Sequence, residues 1–232
     1  MSLFVTGDTH GLHDVGKFYQ MSHEPEGTYT KDDYMVICGD FGAVWDGGWY
    51  DDGAQAYYDR LPWTTLVVDG NHENYDLLDK YPVEMWNGGK VHRISDSIIH
   101  LMRGQIYDIE GFKCFVMGGA RSHDIMYRHT GRSWWPREMP SKEEYEEALD
   151  NIDELPEAKV DFIFTHCASK RTMAKISPYY ENDELTSFLN VIEDLIGFEH
   201  WFFGHYHVDD RLDDKHTALF NEIVYLGNNF GK

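Results

Sequence analysis

Apolar, β-branched runs recur along the chain, and several stop at a polar cluster. The run at 3–5 stops at Gly7-Asp8-Thr9-His10, the run at 34–38 at Gly39-Asp40, and the run at 65–68 at Asp69-Gly70-Asn71-His72-Glu73. The runs at 160–164 and 201–203 stop at Thr165-His166 and Gly204-His205-Tyr206-His207. Runs of three to five residues of this kind predict strands buried on both faces. Between them, Ser141 with Glu144 reads as a capping box that opens a helix ending before Pro156. Leu185, Phe188, Leu189, Ile192, Leu195 and Ile196 have helical spacing, with Gly197 as the expected stop. From about 97 to 117 the pattern changes to hairpins over 98–101, 105–109 and 112–117, with Glu110-Gly111 as a turn. A further strand is expected over 218–226. Strands that alternate with helices, and hairpins in the middle, predict a layered α/β fold. No repeat or low-complexity linker interrupts the chain, so 1–232 is expected to form one domain. The segment 121–140 is rich in Arg, His, Trp and Pro and has no period; it reads as a surface insertion of the kind that often carries function.

The 232 residues suit one domain or a closely fused pair, and a 42% hydrophobic share excludes disorder from lack of core. Charge narrows the partners. Asp and Glu number 41 against 20 Lys and Arg, a net −21, so the chain cannot grip long nucleic acid through its phosphates and is repelled by anionic membranes. A phosphate-bearing substrate needs a local inversion of that field, which bound divalent cations supply. Cys38, Cys114 and Cys167 are odd in number, widely spaced and set in apolar runs, so reduced buried thiols are expected. There is no run of about 18 apolar residues to span a membrane. The N-terminus lacks a basic region and an apolar leader, which predicts a cytoplasmic location.

In an open α/β sheet the carboxyl ends of the strands form one rim, where ligands bind. Five loops would therefore meet there and bring Asp8, His10, Asp40, Asn71, His72, His166, His205 and His207 together. Carboxylates and imidazoles at one rim suit Mn, Fe or Zn, and the near absence of Cys argues against a closed thiolate site. Taken singly, each motif has an ordinary explanation in turn and cap chemistry. Their occurrence together, in order and each after an apolar run, is the signal.

These motifs, spread from residue 7 to residue 207, closely resemble the calcineurin-like metallophosphoesterase superfamily. The resemblance implies an α/β fold, a four-layer α/β/β/α sandwich of two mixed sheets with two divalent metal ions at one edge. It implies one metal on Asp8, His10 and His207 and a second on Asn71, His166 and His205, with Asp40 and a water or hydroxide bridging them. Mn²⁺ is favoured over Fe or Zn. His72 would bind no metal and would stand near the leaving-group oxygen. Two metals clamp both sides of an in-line displacement and lower the pKa of the bridging water, while a histidine there can protonate the departing oxygen. The implied activity is phosphoester hydrolysis, with Asp40 and His72 as the catalytic residues. One departure bears on substrate. Protein Ser/Thr phosphatases of the superfamily follow Gly-Asp with an Asp-Arg pair, whereas Ala43 and Val44 stand here, and only Asp46 is near enough to replace the Asp. A phosphatase acting on phosphomonoesters, small molecules or phosphoproteins, is the leading reading. The alternatives are a phosphodiesterase acting on cyclic nucleotides or related diesters, and a non-catalytic scaffold; the complete ligand set argues against the scaffold.

For substrate contacts, the 121–137 stretch offers Arg121 and Arg132 first, with His123, Arg128 and Arg137 beside them, because an Arg grips phosphate bidentately. Trp134 and Trp135 either stack on a base or sugar or act as a hydrophobic plug, and the plug is favoured. Lys170 and Arg171 are further basic candidates. The acid-rich stretches 150–157 and 209–214 read as solvated surface.

Overall fold

Packing on both faces turns the apolar runs into strands of two sheets. The computed structural model describes residues 2–227. In chain order the strands are β1 (Leu3–Thr6), β2 (Tyr34–Cys38), β3 (Thr64–Val68), β4 (Val83–Trp86), β5 (Gly89–Ser95), β6 (Ile98–Leu101), β7 (Gln105–Ile109), β8 (Phe112–Met117), β9 (Phe162–Thr165), β10 (His200–Phe203), β11 (Asp210–Arg211), β12 (His216–Ala218) and β13 (Ile223–Leu226). The helices are α1 (Tyr19–Ser22), α2 (Trp49–Arg60), α3 (Tyr75–Leu78), α4 (Lys142–Asp153), α5 (Lys170–Ile176) and α6 (Glu184–Leu195). One sheet has the order β13-β1-β2-β3-β6-β5-β4 and the other β11-β12-β10-β9-β8-β7. Each has a parallel centre, β1-β2-β3-β6 and β12-β10-β9-β8, with antiparallel strands at its edges.

The two sheets face each other across Val36, Cys38, Leu66 and Val68 from one and Cys114, Val116, Phe162, Phe164 and Phe202 from the other. The alternate residues of the first sheet, among them Phe4, Met35, Ile37 and Val67, pack on Ala54 and Tyr58 of α2. Those of the second, among them Phe115, Ile163, Trp201 and Phe203, pack on Ala148 and Ile152 of α4 and Leu185 and Leu189 of α6. Both faces of each sheet are covered, which is why the strands read as unbroken apolar runs. The result is a four-layer α/β/β/α sandwich. All three cysteines are buried and unpaired. Among the described residues no helix is long and apolar enough to cross a membrane.

Helix α4 begins at the expected capping box: Ser141 Oγ accepts from Glu144 N at 3.3 Å and Ser141 N donates to the Glu144 carboxylate at 2.7 Å. Helix α6 ends when Ile196 turns extended, and Gly197 bridges to Lys159 instead of taking a left-handed cap. The hairpin expectation for 98–117 needs correcting. Only β7 and β8 form a hairpin there, through Glu110 and Gly111 at φ 55° and 81°. Strand β6 lies in the other sheet, between β3 and β5. Strands β4 and β5 come in addition to those expected, joined by Asn87-Gly88 at φ 47° and 96°, an Asn-Gly hairpin signal in plain sight. The strand expected over 218–226 is two strands: β12 ends in the second sheet, and β13 crosses to pair with β1 in the first.

The segment 121–140 contains 3-10 turns at Ile125–Tyr127 and Pro136–Glu138. Trp135 pins it down: buried, its Nε1 donates to Asp76 at 2.8 Å and its ring meets Trp45 edge-on at 5.6 Å. That is the plug reading for this tryptophan.

Where the chain crosses from β6 to β7, Arg103 is buried against Asp69. Its Nε and Nη2 lie 2.8 and 2.6 Å from Asp69 Oδ2, and Nη2 also donates to Tyr75 Oη at 2.7 Å and to the Arg137 carbonyl at 2.9 Å. His100 Nε2 sits 3.1 Å from the other Asp69 oxygen. Burial raises the Asp69 pKa, but the Arg103 charge outweighs it and holds the carboxyl far below its usual range. This buried pair ties both sheets together beneath the 70–73 loop. Arg103→Met leaves the Asp69 charge stranded and is expected to cost about 3–5 kcal/mol of stability by urea unfolding. A loss under about 1 kcal/mol would mean that His100 alone neutralises Asp69.

Candidate metal centre and active site

Strand register sets the rim. Thr6 pairs with Ile37 and Ile37 with Val67 in one sheet, and Thr165 with Phe203 in the other, so three polar loops leave the first sheet at one level and two leave the second at one level. These loops are strained where they carry chemistry. Among the described non-glycine residues with left-handed φ, four are His10 (44°), Asp40 (48°), His205 (68°) and His207 (51°), while Asn87 and Glu110 serve turns. Each such residue costs about 1–3 kcal/mol and persists only where its surroundings over-determine it. Here His10 N donates to the Asp40 carbonyl at 2.8 Å and Gly11 N to Phe41 O at 2.7 Å. The buried Glu73 carboxylate accepts from Phe41 N at 2.7 Å and Gly42 N at 3.3 Å. Lys17 Nζ clamps the carbonyls of Gly7 (3.2 Å), Asp8 (2.6 Å) and Phe220. Two glycines make room. A Cβ on Gly39, itself at φ 92°, would fall 1.9 Å from His166 Nδ1, and one on Gly204 would fall 2.1 Å from Asp8 Oδ1.

Asp40 is the hub. Its Oδ2 lies 3.3 Å from His10 Nε2 and its Oδ1 lies 3.2 Å from His166 Nε2. On one side, donor atoms of Asp8, His10, Asp40 and His207 all lie within 4.8 Å of one another, a group that could hold a metal ion. On the other side Asn71 Oδ1 is 3.1 Å from His166 Nε2, and the His205 ring packs 4.9 Å from that of His166. The far ring nitrogens are already engaged: His10 Nδ1 with Asp14 at 2.8 Å and His166 Nδ1 with the Cys38 carbonyl at 2.9 Å. A carbonyl only accepts, so His166 carries its proton on Nδ1 and offers Nε2, as metal-ligating imidazoles do. Asp8 Oδ2 is buried and accepts no hydrogen bond, although His207 Nε2 stands 3.1 Å away. An unpaired buried carboxylate oxygen is costly unless a cation meets it. The donor set therefore fits a divalent metal.

With the protein's own charges alone, the site is polarised. Burial lowers the His10 pKa, but Asp40 and Asp14 outweigh it and raise it to about 9. His166 is likewise lowered by burial and then raised by Asp40 to about 10. Burial raises Asp40, yet the His166 and His10 rings hold it well below the carboxylate range. The carboxylates draw positive charge into this pocket, which is what a cation would satisfy. Burial and the nearby His166 charge keep His205 well below the ordinary histidine range.

His72 stands apart from these donors. Its backbone N–H donates to Asp40 Oδ1 at 2.8 Å, and its ring meets His10 edge-on at 5.2 Å. Arg128 Nη2 lies 3.1 Å from His72 Nε2, with Arg128 Nε held by Asp124 at 2.6 Å. A guanidinium only donates, so His72 Nε2 is the acceptor in this arrangement. Burial lowers the His72 pKa, Asp40 pushes it back up, Arg128 lowers it again, and the net shift is downward. Arg128 is the arginine of the 121–137 stretch that hydrogen-bonds to His72. Arg121 lines a pocket with Ser122, His123, Glu181 and Asp183 and shares a smaller one with His205, so it lies on the His205 side of the site, and Arg132 is exposed. Arg171 pairs with Glu193 and Asp194 of α6. Asp46 does not reach His72 by a hydrogen bond; its Oδ1 accepts from Gly48 N at 2.8 Å and Asp51 N at 3.3 Å. Ser122, His123, Glu73, Asp14 and Lys17 also surround the site. Of these, Asp14, four residues after His10, and Glu73, directly after His72, stand near candidate site residues in sequence.

The profile of the calcineurin-like phosphoesterase family matches residues 1–209. No curated protein matches the chain.

Proposed function

The chain belongs to the calcineurin-like phosphoesterase family, a family of metal-dependent hydrolases, and from that premise we propose that it is a two-metal phosphatase acting on phosphomonoesters. The observation that carries the two-metal reading is Asp40, whose two oxygens face two separate sets of donors. Asp8, His10 and His207 would hold one cation, and Asn71, His166 and His205 the other, with Asp40 serving both. Mn²⁺ is favoured, with Fe or Zn also compatible with these ligands. Two such cations supply charge neutralisation for the phosphate and activation of a water for in-line attack.

The chain's own residues do the rest. Asp40 spaces the two donor sets, and Asp14 and the Cys38 carbonyl aim the His10 and His166 rings. Arg128 donates to His72 Nε2. An entering phosphate oxygen would accept from Arg128 instead and leave Nε2 free to hold a proton for the departing oxygen. The unpaired buried cysteines support a reducing compartment, the cytoplasm.

The test is a paired assay of metal-stripped protein reloaded with Mn²⁺, on p-nitrophenyl phosphate and bis-p-nitrophenyl phosphate. Turnover of the monoester, lost again on chelation, is expected. Preference for the diester would replace the phosphatase reading with a phosphodiesterase, and silence on both with metal bound would favour a scaffold. In the same assay Arg128→Ala is expected to raise KM by about 10–100-fold, the worth of a lost hydrogen bond to a charged group. An unchanged KM would remove Arg128 from the phosphate site.

A further inference from the structure

His10 and His72 also line a pocket of about 350 Å³ whose other walls the hydrolytic argument does not use. Those walls are His13, Gly42, Trp45, Asp46 and Tyr50, and no lysine or arginine is among the described lining residues. The pocket's size lies at the small end for small-molecule sites, about 300–1,000 Å³.

The walls are fixed in advance. The buried carboxylate of Asp51, in the first turn of α2, accepts from Trp45 N at 2.9 and 2.8 Å, from Asp46 N at 3.2 Å and from Gly47 N at 2.8 Å. Asn74 Nδ2 donates to the Trp45 carbonyl at 2.7 Å, and Trp135 braces the indole edge-on. The Tyr50 hydroxyl rests on Gly11, where an added Cβ would fall 1.9 Å from it. The indole of Trp45 lies nearly parallel to the His72 imidazole, at 26° with centroids 6.5 Å apart. An aromatic surface is thus held beside the histidine that faces the leaving group.

We propose that this pocket receives an uncharged, planar aromatic ring carried on the leaving-group side of the phosphoester, an inference that rests on the hydrolase reading and names its substrate class. Two aromatic faces bind a ring by stacking, and base-on-aromatic stacking is sequence-tolerant and strong. The absence of lysine and arginine from the lining and the presence of Asp46 disfavour a second phosphate on this side. Nucleoside monophosphates and aryl phosphates share the required chemistry.

The experiment measures KM on the Mn²⁺-loaded protein for two matched pairs, 5′-AMP against ribose 5-phosphate and O-phosphotyrosine against O-phosphoserine. It also titrates the metal-free protein with adenosine and follows tryptophan fluorescence. The ring-bearing member of at least one pair is expected to have a KM lower by about 10-fold or more. Trp45→Leu should bring that ratio close to one and Trp45→Phe should keep most of it, while both remove the saturable quenching, because Trp45 is its fluorophore. Discrimination in the first pair identifies a nucleobase, and in the second a phenol ring. Turnover with equal KM within both pairs overturns the ring pocket and leaves the hydrolase standing. Saturable, Trp45-dependent quenching with no turnover on any substrate keeps the pocket as a ring site and overturns the hydrolase.

Discussion

Asp40→Ala is expected to lower metal-dependent turnover by about 10³-fold or more, because a metal centre contributes several kcal/mol at the transition state and each ~1.4 kcal/mol is tenfold. Asp40 is buried and is the carboxylate near both His10 and His166. Its loss removes the charge that serves both donor sets, and no neighbouring acid can replace it. Asp8 faces His207 and lies 3.8 Å from His166, while Glu73 is committed to the Phe41 and Gly42 amides. The fold should survive, since His10 and His166 can give up their protons once the carboxylate is gone. Elemental analysis of the reloaded variant is expected to show fewer than two equivalents of metal. Full activity in Asp40→Ala would end the two-metal reading.

His72→Asn should act on a different quantity. It is expected to retain metal and KM but to lower kcat by about 10²–10⁴-fold, the range for general acid–base groups. The loss should be greater for an alkyl phosphomonoester than for p-nitrophenyl phosphate, because a nitrophenolate leaves readily without a proton. The substitution keeps the backbone N–H that donates to Asp40 Oδ1 and removes the Nε2 that faces Arg128. Loss of metal would make His72 a ligand instead. Equal losses on the two leaving groups would give it a role other than proton donation.

Much of this site was readable from the chain because the signals are local. Asp8 and His10, or His205 and His207, are two residues apart, and each pair follows an apolar run whose burial on both faces determines that it is a strand. Once the strands of a sheet run parallel, their carboxyl ends share a rim, so Asp8, His10, Asp40, Asn71 and His72 follow one sheet and His166, His205 and His207 the other, and the packing of the two sheets joins the two rims. Arg128 was not distinguishable from Arg121 or Arg132. All three lie in an aperiodic segment, and only its docking through Trp135 onto Asp76 and Trp45 turns one guanidinium toward His72, 56 positions away in sequence. The same holds for Lys17, whose amine reaches the carbonyl of Phe220, and for Trp45, which becomes a pocket wall only because Asp51 and Asn74 hold its backbone.

The sequence by itself therefore determined the layered α/β class, most of the central strands, the α4 capping box and the residue types of the candidate metal-ligating rim. Apolar period and short polar motifs act within a few residues of themselves, so these properties need no knowledge of distant partners. Tertiary structure alone decided which sheet β6 and β13 join, which ring nitrogen each histidine offers, which arginine hydrogen-bonds to His72 and what shape lies beside it. Those properties depend on contacts between segments tens to hundreds of residues apart. Their energies are set by register and close approach, as when Gly39 lets His166 and Gly204 lets Asp8 come within reach of the centre.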